Sequence, residues 1–536
     1  MSDETAKKKS ETSVKDTIES ILVAFILAFI FRCFVVEAFV IPTGSMAPTL
    51  LGAHMDFRCP DCGYQFTYGF HNESETFSIP DALNGSVGVQ CPNCDYRLPA
   101  ETPSDPDNDA TNPPLRYGDR ILVMKYVYLF GGPKRWDVVV FKSPVTSVGD
   151  YSVNYIKRLV GNPGESLAVS NGDLYVAAPG TDGNDPANFV VQPKPKWAQD
   201  ALWRIVFDAD YVPQSVRGGQ IIRDAPFNWK QPWRQTSGQG WSNNDEANGV
   251  SPREFAFDNK NGEGVLSFHA GDRSTLNGVT DWLAYNQNTR TPPRAVGDLK
   301  LEFFVTGLSG DGVVRGVVSK HSQREGASHE FIAELSLKKL RLIMRSSAGD
   351  KVIGERDIDL SGHHHVSIEN VDYRVSVRVD DHELLATTPQ DYRPDLAAIV
   401  KNGERAFDGS ARLEADRVAA RISHLRIWRD IYYREDSSGG PRIQRAVVDG
   451  TYFNPVHLAE KEYFTLGDNS AMSLDGRFWT DPIELEDENL KADAGVVPER
   501  FLLGKAFFVY WPAGYKPVSA ISLRAAPNFG NMRFIR

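Results

Sequence analysis

The sequence predicts a mainly β protein with an N-terminal transmembrane helix, a small zinc-ribbon-like insertion and a large inserted β-sandwich. Three observations predict it: an uncharged apolar run near the N-terminus, two Cys-x-x-Cys pairs, and many short alternating runs with no long amphipathic helix. At 536 residues the chain exceeds one ordinary domain. A hydrophobic fraction of 41% and a charged fraction of 24% are those of a folded protein. The net charge is −11, and the only basic cluster is Lys7-Lys8-Lys9. Phosphate neutralisation needs clustered Lys and Arg, so a nucleic-acid partner is excluded.

Residues 1–15 are polar and read as a cytoplasmic tail, and 16–36 as a membrane anchor. Ile21 to Phe31 carries no charge; Arg32 interrupts it and Glu37 ends the apolar stretch. Sixteen residues from Ile21 to Val36 fall slightly short of the roughly 20 a span needs. Arg32 can extend its head group to the interface while its stem stays in lipid. Lysines before the run and acids after it predict a single pass through the plasma or inner membrane, N-terminus cytoplasmic and the remainder outside. A secretory signal cut near Val36-Glu37-Ala38 and a buried core helix are the competing readings.

Strand patterns follow. Phe39-Val40-Ile41 runs into Pro42 within a first core segment, 37–58. Residues 59–98 hold the cysteine pairs, and 99–115 form an Asp/Pro/Asn-rich linker. A second core segment, 116–180, contains Arg120–Lys125, Trp136–Phe141 and Tyr155–Val160, the last stopped by Gly161-Asn162-Pro163-Gly164. Residues 181–440 carry alternating runs such as Leu301–Val305, Tyr373–Val379 and Ile422–Trp428, separated by Gly- and Asp-rich turns, the pattern of an antiparallel sandwich. A third core segment, 441–536, holds Tyr463–Asn469 and Gly504–Trp511.

The loop Pro42-Thr43-Gly44-Ser45-Met46-Ala47-Pro48 is rich in hydroxyls and flanked by backbone breakers. A serine beside a glycine lets substrate backbone approach closely and leaves an amide free to donate; alone, such a loop is also an ordinary turn. Four more blocks stand in order behind it: Gly118–Lys125; Arg135–Lys142 with Tyr155–Glu165; Gly467-Asp468-Asn469 through Ser473, Asp475, Arg477 and Trp479; and Val497–Glu499 with Gly504–Pro512. In these five blocks the chain resembles the type I signal peptidases (leader peptidases). The resemblance implies an antiparallel β catalytic core and a membrane-bound serine endopeptidase. Such an enzyme removes signal peptides from exported preproteins after small residues at −3 and −1.

The resemblance also assigns roles. Ser45 would attack the scissile carbonyl and Lys157 would take its proton, which requires burial beside apolar groups so that neutral amine is accessible. Ser473 would hydrogen-bond the Lys157 amine. The Ser45 amide and the Thr43 hydroxyl would form the oxyanion hole, and Asp475 with Arg477 a supporting ion pair. Phe39, Ile41, Tyr155 and Ile156 are candidates for the substrate pockets, with plain core packing as their alternative. Catalysis needs no cofactor. Thr43 stands where many relatives have Ser, and Ser470-Ala471-Met472 departs from the common pattern.

Cys59-Pro60-Asp61-Cys62 and Cys91-Pro92-Asn93-Cys94 are two knuckle-like turns, 28 residues apart. Four thiolates so spaced suit structural zinc; two disulfides are the alternative outside the cytoplasm. The large insertion more weakly resembles a concanavalin- or laminin-G-like jelly roll, on Val366–Asp372, Val377–Asp381 and Ile422–Trp428. Such folds bind glycans or proteins, so a membrane-anchored glycan- or polypeptide-binding protein on an inactive peptidase scaffold is the rival function. His363-His364-His365 reads as a solvated turn. Because Ser473 and Lys157 must meet, the ends of the insertion are expected to lie close together, with the core independent of what lies between.

Overall fold

The computed structural model of the protein describes residues 2–69, 89–98, 116, 118–145, 153–214, 216, 229–245, 249–270, 278–287, 292–322, 328–403, 407–435, 445–485, 490–512 and 529–536. The predicted linker at 99–115 lies outside these, apart from nothing but its neighbours at 98 and 116. The architecture is mainly β, as the alternating runs predict, and falls into a catalytic core, a cysteine ribbon and a large curled sheet.

The chain opens with a helix, Ser2–Ile30, followed by a π-helical turn at Phe31–Val35 and a strand at Val36–Val40. Against the expected transmembrane helix at 16–36, among the described residues no helix is long and apolar enough to cross a membrane. The reason is where the helix stops. Its uncharged part ends at Ile30, and Val36 already belongs to the sheet. The ten residues from Ile21 to Ile30 rise about 15 Å, half of a ~30 Å hydrocarbon core. Ile21, Leu22, Phe25, Ile26 and Phe29 nevertheless all face outward.

The core is an eight-stranded sheet ordered Val36–Val40, Arg120–Met124, Leu502–Trp511, Val138–Lys142, Asn154–Gly161, Glu462–Leu466 and Val497–Pro498, with Arg533–Phe534 paired on Leu502–Trp511. Its pairs in that path are antiparallel. Val138 to Phe141 are all buried, which is why that run is apolar without alternation: it lies mid-sheet with both faces covered. One face packs Ile41, Met46, Leu50, Val138 and Val140; the other packs Val139, Phe141, Leu159 and Trp479. Strand Val36–Val40 is a sheet edge. Glu462–Leu466 pairs with Asn154–Gly161 only through Arg158, Leu159 and Gly161.

The cysteine unit starts earlier than its first knuckle. His54–Arg58 pairs with Gln65–Gly69 around Cys59 and Cys62, and Val89–Gln90 pairs with Arg97–Leu98 around Cys91 and Cys94. Its small core is made of Met55, Phe57, Phe66, Tyr68 and the four cysteines.

The large insertion forms one thirteen-stranded sheet between Arg204 and Arg429. The 23-residue strand Phe407–Arg429 pairs with four others and so carries the curl from one layer to the next. Alternate residues along it, Leu413, Ala415, Ile422, Leu425 and Ile427 among them, enter one core. Arg204, at the start of this sheet, is paired with Arg429 at its end. His363–His365 are the first residues of a strand, not a turn. His363 and His365 stack on Phe304, at 4.8 and 4.7 Å, and His364 meets Asp380 at 2.9 Å.

Candidate active site

The residues expected to react come together. Thr43 sits before a single 3-10 turn, Gly44–Met46, which turns Ser45 inward. Asn154–Gly161 carries Lys157 from the middle of the sheet. Lys157 Nζ donates to Ser45 Oγ at 2.6 Å, and both side chains are buried. Burial lowers the Lys157 pKa to about 8; Asp475 pulls it upward, Arg477 downward and Asp468 upward. A neutral amine is therefore accessible near physiological pH, as proton abstraction by lysine requires.

A loop from Gly467 to Trp479 closes the site and is fastened twice. Arg158, next to Lys157 on its strand, forms a two-point pair with Asp468 at 2.7 Å through Nε and at 2.7 Å through Nη2. Arg477 and Asp475 form another, both bonds at 2.8 Å, and both side chains are fully buried. Asp475 also accepts the Gly467 amide at 2.9 Å. Such charge-assisted forks fix geometry as well as adding energy. At Gly467 only glycine fits: a Cβ there would lie 2.2 Å from Ser473 Oγ and 2.5 Å from the Ser45 carbonyl oxygen.

Ser473 is where the resemblance placed it, against the nucleophile turn, yet its buried hydroxyl has no hydrogen-bond partner. The expected bond to Lys157 is not made; the amine spends its contact on Ser45. Thr43 is exposed beside the nucleophile turn and its side chain makes no capping bond. Of the four pocket candidates, Ile41 is 2% exposed and packs in the core. Phe39 and Ile156 are half-buried on that same core, and Tyr155 is half-buried against Phe141 and Trp479, with Lys157 Nζ 5.6 Å from its ring centre.

Two groups were not singled out from sequence. Asn469 donates its backbone amide to the Ser45 carbonyl and its side-chain amide to the Gly44 carbonyl, each at 3.0 Å. Tyr285, from the large insertion, lies against Gly44: a Cβ at Gly44 would come 2.5 Å from its ring. The close approach that glycine permits at 44 is thus taken by Tyr285. Asn469 stood in a recognised block; Tyr285 carried no signal, because nothing in one sequence links position 285 to position 44.

The four cysteine sulfurs lie within 4.8 Å of one another and all four side chains are buried. Cys59 and Cys94 sulfurs are 3.6 Å apart, and Cys62 and Cys91 3.7 Å. A tetrahedral zinc with Zn–S near 2.3 Å sets its sulfurs about 3.8 Å apart, whereas a disulfide needs about 2.05 Å. The donor set fits zinc. The amides of Cys62 and Asn93 point at Cys59 and Cys91 sulfurs, each at 3.5 Å, as outer support for thiolates.

A β core that buries a serine–lysine pair defines a class, the peptidase folds that pair a hydroxyl with an amine base. Within it, the family described as signal peptidase, peptidase S26, matches residues 102–198 and 416–511. These include Lys157, Ser473, Asp475 and Arg477 but not Ser45. Signal peptidase I of Rickettsia typhi is 26% identical over 168 residues, 31% of this chain and 45% of its own length. That of Rickettsia prowazekii is 25% identical over 173 residues, 31% of this chain and 45% of its own length. The chain spans about half the length of the curated relatives it matches. Over those segments it is similar to the type I signal peptidases. A carbohydrate-binding module of Bacillus subtilis covers 37% of the chain and 94% of its own length at 13% identity, with a TM-score of 0.23, too low to carry an argument.

Proposed function

We propose that the protein is a membrane-associated serine endopeptidase that removes signal peptides from exported preproteins, with Ser45 as nucleophile and Lys157 as general base. The observation that carries the reading is the 2.6 Å contact between Lys157 Nζ and Ser45 Oγ in a buried site where the lysine pKa is lowered to about 8. Neutral Lys157 takes the Ser45 proton as Oγ attacks the scissile carbonyl, then returns it to the leaving amine. The Thr43 hydroxyl and the Ser45 amide stabilise the oxyanion. Ser473, buried and unbonded in the resting site, is suited to receive the Lys157 amine once that amine lets go of Ser45.

The substrate chain would add to the open edge of Val36–Val40 and pass the free half of Asn154–Gly161, with backbone hydrogen bonds giving affinity. Phe39, Tyr155 and Ile156 would then bound the side-chain pockets. The outward apolar face of the N-terminal helix suits contact with lipid, which puts the enzyme where precursor chains emerge. Zinc in the four-cysteine site would hold the ribbon's two hairpins together.

The test is cleavage of a precursor peptide with Ala at −3 and −1 by the detergent-solubilised full chain. Cutting after the second Ala, lost in Ser45→Ala at unchanged thermal unfolding, is expected. Cutting that survives Ser45→Ala would overturn the reading.

A further inference from the structure

The segment 281–287 of the large insertion crosses to the catalytic core and touches three things at once. Tyr285, 2% exposed, has its ring between two glycines: a Cβ at Gly44 would lie 2.5 Å from the ring, and one at Gly69 of the ribbon 2.2 Å. Gln287 pairs with the backbone of Gln90 in the ribbon, accepting its amide at 2.7 Å and donating to its carbonyl at 2.8 Å. Asn286 meets Asn469 in a reciprocal pair: Asn286 Nδ2 donates to Asn469 Oδ1 at 2.7 Å, and Asn469 Nδ2 donates to Asn286 Oδ1 at 2.9 Å.

That pair has a consequence for the nucleophile. The Asn469 amino group has two hydrogens. One goes to Asn286 Oδ1 and the other to the Gly44 carbonyl at 3.0 Å, the peptide that leads directly into Ser45. A carboxamide can turn over and exchange its oxygen with its nitrogen, and only its partners decide which way it points. Turned over, Asn469 would present oxygen to the Gly44 carbonyl oxygen and repel it. The Gly44 carbonyl thus selects the orientation, and Asn286, whose own carboxamide turns to match, holds it there with one acceptor and one donor.

The near end of the segment is fastened to the same catalytic loop. Asp281 takes a two-point bond from Arg434, 2.5 Å from Nε and 2.8 Å from Nη2. The backbone of Arg434 in turn accepts Arg477 Nη1 at 2.5 Å and donates to Ser470 Oγ at 2.7 Å. The insertion is thus tied to both sides of the nucleophile turn, and the core is not independent of it as its sequence position suggested.

We propose that Asn286 and Tyr285, supplied by the inserted sandwich, are positioning residues for the nucleophile: Asn286 holds in place the Asn469 carboxamide that bonds Gly44, and Tyr285 seats the Gly44 backbone. The proposal rests on the Ser45–Lys157 reading and deepens it. A core with the insertion removed would keep its dyad residues and lose the aim of Ser45.

The experiment measures kcat and KM for the precursor peptide with the full chain and its Asn286→Ala, Asn286→Asp, Asn469→Ala and double Asn286→Ala/Asn469→Ala variants. Misplacing a nucleophile costs rate, so Asn286→Ala should lower kcat by roughly tenfold to a hundredfold with KM within about twofold. Asn286→Asp keeps the acceptor for Asn469 Nδ2 but sets a carboxylate oxygen against Asn469 Oδ1, so it should lower kcat as well. Because Asn286 acts through Asn469, the double variant should be no slower than Asn469→Ala alone. The midpoint of the pH profile, set by burial of Lys157, should stay in place. Wild-type kcat in both Asn286 variants, a loss confined to KM, or losses that add in the double variant would overturn the proposal while leaving the dyad intact. If Asn286→Ala does not fold, Asn286→Asp carries the same criteria. No cleavage by the unsubstituted chain would overturn the peptidase reading and this proposal with it.

Discussion

Lys157 and Lys320 are both buried lysines, 5% and 3% exposed, and their surroundings drive them in opposite directions. Burial is the largest influence on each and disfavours the ammonium in both. Lys320 reaches Asp298 at 2.8 Å and Asp173 at 3.4 Å, and these carboxylates raise its pKa well above the usual value. Its neighbour Lys194 is raised likewise, between Asp372 and Asp430. Lys157 instead faces the uncharged Ser45 hydroxyl. The nearest acid with influence on it, Asp475, already has both oxygens engaged by Arg477. Desolvation is common to both sites; what separates a base from a structural cation is whether a carboxylate is left free to face it.

The contrast can be broken most sharply by removing each ammonium. Lys157→Met should lower kcat/KM by at least about a thousandfold, since nucleophile and base act as a unit. It should leave the thermal midpoint unchanged or higher, because no carboxylate loses its partner. Lys320→Met should do the reverse. It strands Asp298 and Asp173 and should cost about 3–5 kcal/mol in urea unfolding, while any molecules that remain folded cleave at the wild-type rate. Equal stability losses in the two variants would erase the distinction.

The pH profile comes next. Lys157 titrates lower in the folded protein than in the unfolded chain, about 8 against 10.5. The unfolded chain therefore binds more protons between those values, so this residue's share of stability rises with pH across that window. Activity needs the neutral amine, so kcat/KM should climb by about tenfold per pH unit below pH 8 and level off above it. A profile flat from pH 6 to 9 would contradict an amine base. The smallest shift expected in the pH profile belongs to Asp475→Asn. It removes an acid that holds the Lys157 pKa up and leaves Arg477, which pushes it down, so the inflection should move to lower pH. Movement to higher pH would show that Asp475 acts on Lys157 by another route.

The chain by itself determined the strand-rich class and the two Cys-x-x-Cys turns, and through its ordered blocks the resemblance that points to Ser45 and Lys157. Each of these is written in adjacent residues: period-two alternation, Cys-x-x-Cys spacing, and hydroxyl, basic and acidic residues in ordered blocks. The resemblance picked out Lys157 as a base, and its apolar strand neighbours Tyr155, Ile156, Leu159 and Val160 foretold the burial that role needs. Ile41 shows the limit of the same reasoning, since an apolar residue beside a catalytic loop looks alike whether it lines a pocket or fills the core. The N-terminal apolar run was visible too, but not that its helix would stop at Ile30 and hand Val36 to Met124, because strand pairing is a bargain with residues far along the chain. Only the tertiary structure joined Asn286 to Asn469, Tyr285 to Gly44 and Arg434 to Ser470. Those contacts link residues 183, 241 and 36 positions apart, and a side chain's local sequence holds no record of a partner that only the folded backbone brings within 3 Å.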